Sequence, residues 1–221
     1  MNRQESTNLV ARLSAIPYAG AISDILDEMG FRNQVLPPEI RPLRPDQTLA
    51  GRAFTLLGTV TDEHDRDKIL LPYLKMLGDI RPGDVLVCQS NDTTAAHLGE
   101  LSSETAQYRG ARGAVIDGGT RDAGYILRIG FPVFARYTTP RDIVGRWRLA
   151  DYAVPIEIGT VRIAPGDYVV GDRDGVVIIP GDTAEEVVIK ADQIVRTENL
   201  VRKAILAGVH PLEAYRKYGK F

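Results

Sequence analysis

The sequence predicts an α/β fold: one layered domain with a parallel βαβαβ core, antiparallel strands packed beside it, and helices at both ends. Three observations predict it. Short apolar runs alternate with helix-period segments between Val85 and Ala135, the pattern of parallel strands joined by crossover helices. From Pro155 to Pro180 the chain turns β-rich and is punctuated by Pro165-Gly166-Asp167 and Asp172-Arg173-Asp174-Gly175, as in antiparallel strands joined by turns. Amphipathic stretches bracket both parts, an N-terminal helical segment over 1–30 and a C-terminal helical extension over 182–221. With 221 residues the chain can bury a sizeable core, so 1–221 is read as a single domain.

The elements follow in order. Leu9 to Met29 reads as helix with a break at Pro17. Leu9, Leu13 and Ile16 share one face, and Ile22, Ile25, Leu26 and Met29 share the next. Ser23-Asp24 would help start the second helix and Gly30 would stop it. Pro37, Pro38, Pro42 and Pro45 make an extended connector, and Ala53 to Leu57 a strand. Asp65 to Leu77 reads as a helix with Ile69, Leu70, Tyr73, Leu74 and Leu77 inward. The turn Arg81-Pro82-Gly83-Asp84 leads into the buried-type strand Val85–Cys88. A helix over Leu98–Arg109 is capped by Gly110, the strand Ala114–Ile116 follows, and a helix over Ala123–Ile129 is stopped by Gly130. Pro132–Ala135 is the next strand. These three strands are expected to be parallel, with right-handed crossovers. Asp182 opens a long helix with Val187, Ala191, Ile194, Val195, Val201 and Ile205 near one stripe; Gly208 ends it and Pro211 starts a short last helix.

Composition excludes several classes. Charged residues make up 25% and the net charge is −2, with the basic residues scattered. There is no basic footprint for nucleic acid. No apolar run approaches a membrane span and the first residues lack an apolar signal core, so a cytoplasmic location away from membranes is the expectation. The single cysteine, Cys88, excludes an intrachain disulfide and a cysteine-built zinc site.

The chemistry-bearing stretch runs from Gly99-Glu100-Leu101-Ser102 to Asp117-Gly118-Gly119-Thr120-Arg121-Asp122. It places an acid, then an adjacent base and acid, at two successive strand-to-helix turns. In a parallel sheet those turns share the edge beyond the carboxyl ends of the strands, where ligands bind. Helix starts there offer free N–H groups that suit an anion. Arg121 can grip a carboxylate with two prongs, and Asp122 is a hard oxygen ligand suited to Mg²⁺ or Mn²⁺. Blander readings stand beside these. Asp122 also fits a helix N-cap, Glu100 also fits a dipole-stabilised first turn, Arg121 alone also fits a surface arginine, and Gly118-Gly119 alone also fits a turn. His97 is read as structural or solvated, Asp62-Glu63-His64-Asp65 as a solvated turn, Cys88 as core and Asp172–Gly175 as a hairpin turn.

At these residues the chain resembles the metal-dependent pyruvate aldolases that cleave 4-hydroxy-4-methyl-2-oxoglutarate and 4-carboxy-4-hydroxy-2-oxoadipate, a family that also contains the regulator of ribonuclease activity A. The matching blocks are Gly99–Ser102, Gly110 with Gly113, Asp117–Asp122, Pro132–Ala135, Pro165–Asp167 and Asp174–Pro180, with Ser23-Asp24 and Gly51-Arg52-Ala53 earlier. The resemblance implies a β-barrel-like part within the layered domain. It implies that Asp122 binds the divalent metal, Mg²⁺ or Mn²⁺. Arg121 would contact pyruvate, and backbone N–H groups of Gly99, Glu100, Leu101 and Ser102 would hold its carboxylate. Glu100 would position a catalytic water. The implied partners are a small 2-oxo acid substrate and further copies of the chain in a homotrimer or homohexamer.

Two functions compete. One is a divalent-metal retro-aldolase that converts 4-hydroxy-2-oxo acids to pyruvate, with oxaloacetate decarboxylation as a side activity, Glu100 and Arg121 being its catalytic residues. The other is a non-catalytic regulator that binds a ribonuclease or helicase. The stretch Asp182–Phe221 favours the aldolase form, since the regulator resembles a shorter version without it. A Schiff-base route would need a lysine at the strand ends. Lys68, Lys75, Lys190, Lys203, Lys217 and Lys220 all lie elsewhere. A menaquinone methyltransferase label carried by some relatives has no support, because a nucleotide-binding glycine loop is missing from the sequence.

Overall fold

The computed structural model describes residues 3–16 and 18–220. Its centre is a mixed sheet in the order β1 (Arg41–Pro42), β6 (Val133–Thr138), β5 (Gly113–Thr120), β3 (Asp84–Gln89), β2 (Leu49–Val60), β10 (Tyr168–Asp172) and β11 (Gly175–Ile179). β4 (Ala96–Leu98) adds to β5, and β7 (Trp147–Tyr152) adds to β2. The expected three parallel strands are β3, β5 and β6, and β2 extends them to four. The sheet is nearly closed. Val35 bridges Val177 of β11, and Arg41 of β1 donates to the carbonyls of Arg173 and Asp174 in the β10–β11 turn.

Both faces of the parallel strands are buried, which explains their unbroken apolar runs. Val85 and Val87 of β3 and Val115 of β5 point into the barrel-like interior. The hairpin of β8 (Ile156–Ile158) and β9 (Val161–Ile163) plugs that interior with Ile156, Ile158, Val161 and Ile163. Leu86, Cys88, Ala114 and Ile116 point outward, against α3 (Arg66–Asp79), α4 (Glu100–Tyr108), α5 (Ala123–Ile129) and Trp147. A third cluster packs α1 (Arg3–Ser14), α2 (Ala19–Glu28) and α6 (Ala184–Leu206) on β10 and β11, and α7 (Pro211–Tyr218) packs on α6.

Several boundaries differ from expectation. The break expected at Pro17 lies outside the described residues. α2 starts at Ala19, whose N–H is held by the Asp172 carboxylate at 2.7 Å, so Ser23-Asp24 sits inside the helix. Glycine is at the predicted stop: Gly30 has φ +91°, a conformation that suits a residue without Cβ. On α3 Ile69, Tyr73 and Leu77 are buried as expected, but Leu74 is 55% exposed and Met76 is buried in its stead. Residues 96–98 form a strand, so α4 begins at Glu100 and not at Leu98. β2 runs for 12 residues where five were expected, and β7 was not foreseen. α6 starts after an N-cap at Thr183 rather than at Asp182. Among the described residues no single helix is long and apolar enough to cross a membrane.

Candidate active site

Gly99, Glu100, Leu101, Ser102, Arg121 and Asp122 line one cleft of about 370 Å³ at the carboxyl ends of β4 and β5. The strand-to-helix turns β4–α4 and β5–α5 meet there. Arg121 N–H donates to the Leu98 carbonyl at 2.9 Å and Thr120 Oγ1 donates to the same oxygen at 2.8 Å, so the two turns are stitched together.

Asp122 occupies the cap position before α5, but its side chain does not cap that helix. Its backbone is left-handed, φ +57° and ψ 31°, a conformation that costs a non-glycine residue energy and is most tolerated in Asn and Asp. The carboxylate instead reaches the neighbouring turn, where its Oδ2 accepts the Glu100 N–H at 3.0 Å. The N-cap reading of Asp122 is therefore corrected: it bridges the two turns. A Cβ on Gly99 would lie 2.8 Å from that Oδ2 and 3.1 Å from Arg121 Cγ and Nε. Only glycine leaves both side chains where they are.

One consequence corrects the expected anion cradle. The Glu100 N–H is occupied by Asp122, so it is not free for a substrate carboxylate. The N–H groups of Leu101 and Ser102, in the first turn of α4, have no acceptor among the described residues and remain open to an anion. Glu100 lines the cleft as the first residue of that helix.

Arg121 lies between two carboxylates. Its Nη1 donates to Asp142 Oδ1 at 3.1 Å, and its Nε is 3.5 Å from Asp122 Oδ2. Asp142, Arg66, Tyr73 and Ile143 also line the cleft, and sequence reasoning missed all four. They come from the loop after β6 and from the face of α3, and no local motif marks either. No lysine lines the cleft.

Beneath the floor, His97 is buried and neutral. Its Nδ1 accepts the Gly119 N–H at 3.2 Å, so the proton is on Nε2, which donates to Asp92 Oδ2 at 3.0 Å. Burial lowers its pKa, against the opposing pull of Asp92. The ring lies edge-on to Trp147 at 4.9 Å and fills the space beside Gly118, whose Cβ would lie 2.6 Å from it. His97 therefore shapes the Gly118–Asp122 segment from below. Tyr73 is likewise buried, which pushes its phenol up to about 12, and it donates to the His97 carbonyl at 2.9 Å.

The donor set fits a cation held in part by something other than protein. No group of three or more His, Cys, Asp or Glu among the described residues is placed to hold a metal ion. One oxygen of Asp122 accepts the Glu100 N–H, and the other has no partner among the described residues. Mg²⁺ and Mn²⁺ suit such a site, because they keep several waters and use one or two carboxylates plus substrate oxygens. The electrostatics agree. Glu100, Asp122 and Asp142 face Arg66 and Arg121 in the lining, so the cleft is net negative, and a divalent cation would make it attractive to an anion.

The chain is similar to known proteins along most of its length. A profile described as RraA-like, Aldolase/RraA, matches residues 19–178. A protein of Halalkalibacterium halodurans named "Putative 4-hydroxy-4-methyl-2-oxoglutarate aldolase" is 33% identical over 96% of this chain and 95% of its own length. The structure of an uncharacterized protein from Pseudomonas syringae pv. tomato superposes with a TM-score of 0.84 at 27% identity, over 96% of this chain and 94% of that one. That of Streptomyces coelicolor RraAS2, described as an unusual member of the RNase ES inhibitor RraA protein family, superposes at 0.78 with 30% identity, over 88% of this chain and 96% of that one.

Proposed function

The chain belongs to the RraA-like family of aldolases and RraA proteins, and from that premise we propose that it is a divalent-metal-dependent lyase that cleaves 4-hydroxy-2-oxo acids to pyruvate, with oxaloacetate decarboxylation as a side activity. The observation that carries this reading is the convergence of Arg121, Asp122 and the open N–H groups of Leu101 and Ser102 on one cleft. Asp122 would hold Mg²⁺ or Mn²⁺ through its free oxygen. Bound there, the ion would supply Lewis acidity to the substrate's 2-oxo acid group.

The chain's own residues do the rest. The Leu101 and Ser102 N–H groups receive the 1-carboxylate at the positive end of α4. Deprotonation of the 4-hydroxyl drives cleavage of the C3–C4 bond, which releases a carbonyl product. The bonding electrons move into the C2–C3 bond and onto the keto oxygen as the pyruvate enolate. Arg121 is placed to stabilise that oxygen as charge develops. Glu100 positions a water that relays the proton and delivers one to C3, which completes pyruvate. Loss of CO₂ from oxaloacetate generates the same enolate, so the two activities go together.

The regulator reading keeps one point of contact. RraAS2 superposes over 88% of this chain, so chain length alone does not set this protein apart from every RraA relative. The lyase reading rests on the family and on the cleft together. Further copies of the chain in a trimer or hexamer belong to this proposal. The test is a screen of several 4-hydroxy-2-oxo acids and oxaloacetate with Mg²⁺ or Mn²⁺, read by pyruvate release. Turnover of at least one is expected; no pyruvate from any of them overturns the reading.

A further inference from the structure

We propose that Asp142 is a positioning residue that draws the Arg121 guanidinium away from Asp122 and so keeps one Asp122 oxygen open for a divalent cation. The link to the cation rests on the lyase reading above; the placement of Arg121 does not.

Arg121 and Asp122 are neighbours in sequence and both reach into the cleft. A guanidinium carries five donors in a planar fork, and its preferred partner is a carboxylate gripped by two of them. Left to themselves, the two side chains would close into such a pair, and both Asp122 oxygens would be occupied. The structure shows otherwise. Nη1 donates to Asp142 at 3.1 Å, whereas the approach to Asp122 is through Nε at 3.5 Å, too long for a good hydrogen bond. Asp122 uses only Oδ2, on the Glu100 N–H.

Asp142 is the fixed member of this pair. Its loop is anchored on both sides: the Arg141 carbonyl accepts the Ala96 N–H at 3.0 Å, and the Ile143 carbonyl accepts the Trp147 N–H at 2.8 Å. Ile143 is buried in the outer core beside Trp147. Arg121 is a long side chain with much rotamer freedom. Both partners are about two-fifths exposed, 38% and 39%, so the pair is weak by the measure of surface ion pairs. It biases the guanidinium without locking it, and an arriving substrate oxygen can take Asp142's place on Nη1.

The test uses Asp142→Ala and Asp142→Asn in the full chain, with no oxo acid present. Metal-free crystals show where Arg121 lies, and electron paramagnetic resonance of Mn²⁺ gives the affinity. In Asp142→Ala, Arg121 should swing onto Asp122 with two N–H···O contacts, and Mn²⁺ affinity should fall at least tenfold. In Asp142→Asn the amide oxygen still accepts from Nη1, so Arg121 should stay in place and the loss should be at least threefold smaller. Both variants should melt within about 4 °C of wild type. Arg121 unmoved in the alanine variant, equal losses in the two variants, or no Mn²⁺ binding to the wild-type chain overturns the proposal. Pyruvate release by the wild-type chain is scored separately and judges the lyase reading.

Discussion

Replacing Gly99 with alanine perturbs the site while sparing the fold. Gly99 has φ −137° and ψ −167°, ordinary extended backbone that alanine adopts without strain. The added Cβ would lie 2.8 Å from Asp122 Oδ2, where carbon contacts are comfortable only from about 3.5 Å. The carboxylate must retreat by roughly half an ångström or more, which stretches its 3.0 Å bond to the Glu100 N–H beyond useful length. Arg121 Cγ and Nε, at 3.1 Å from the same position, must shift as well. Losing a half-exposed hydrogen bond to a carboxylate costs about 1.5 kcal/mol. Restricting the unfolded chain returns about 0.4–1 kcal/mol. The net loss is about 0.5–1 kcal/mol, or a melting shift of about 1–4 °C. Activity responds far more, because a misplacement of this order in a positioned site lowers turnover about 100-fold. The assay couples pyruvate release to lactate dehydrogenase, beside a thermal melt. Wild-type kcat/KM in Gly99→Ala, or a variant that fails to fold, would refute the reasoning.

Other predictions follow from the same geometry. Arg121→Ala should lower kcat by about 10²–10³, as for loss of a donor to a developing oxyanion, with the melt within a few degrees; a change confined to KM would mean that Arg121 only binds the ground state. His97 gives a signed pH dependence. Burial holds its folded pKa below the ordinary 6.5, so below that value the unfolded chain takes up more protons than the folded one. Stability should therefore be flat above pH 7 and decline as pH falls below about 6.5, with a slope of at most about 1.4 kcal/mol per pH unit from this residue. Urea unfolding at pH 7.5, 6.5 and 5.5 measures it, and a slope unchanged in His97→Gln would assign it elsewhere. Cys88 is buried, and burial pushes its thiol far up; the native chain should resist a thiol reagent that titrates one group after denaturation.

The parts of the fold that were legible in sequence are those whose packing is local. The runs Val85–Cys88 and Ala114–Ile116 are apolar on both faces because both faces are covered, and α4 and α5 carry their own stop signals at Gly110 and Gly130. β4 was hidden because three residues that join a strand edge look like the start of the helix that follows. β7 was hidden because Trp147 and Leu149 alternate with exposed residues over too short a stretch. The two turns of the site were legible as motifs, and so was their meeting at one sheet edge. Their coupling was not: Asp122 serves the other turn's backbone rather than its own helix, and that depends on how the turns dock. Asp142 stands 20 residues beyond Asp122 on a loop of no distinctive composition, and only the tertiary structure brings it to Arg121.

The central claim is that Asp122 and a divalent cation act together in carbon–carbon bond cleavage. Pyruvate release from 4-hydroxy-4-methyl-2-oxoglutarate, followed as a chelator strips the wild-type chain and Mn²⁺ is then restored, tests it most directly. Turnover should vanish with the metal, return with it, and stay absent in Asp122→Asn. Cleavage that persists after complete metal removal, or that survives in Asp122→Asn, would contradict it.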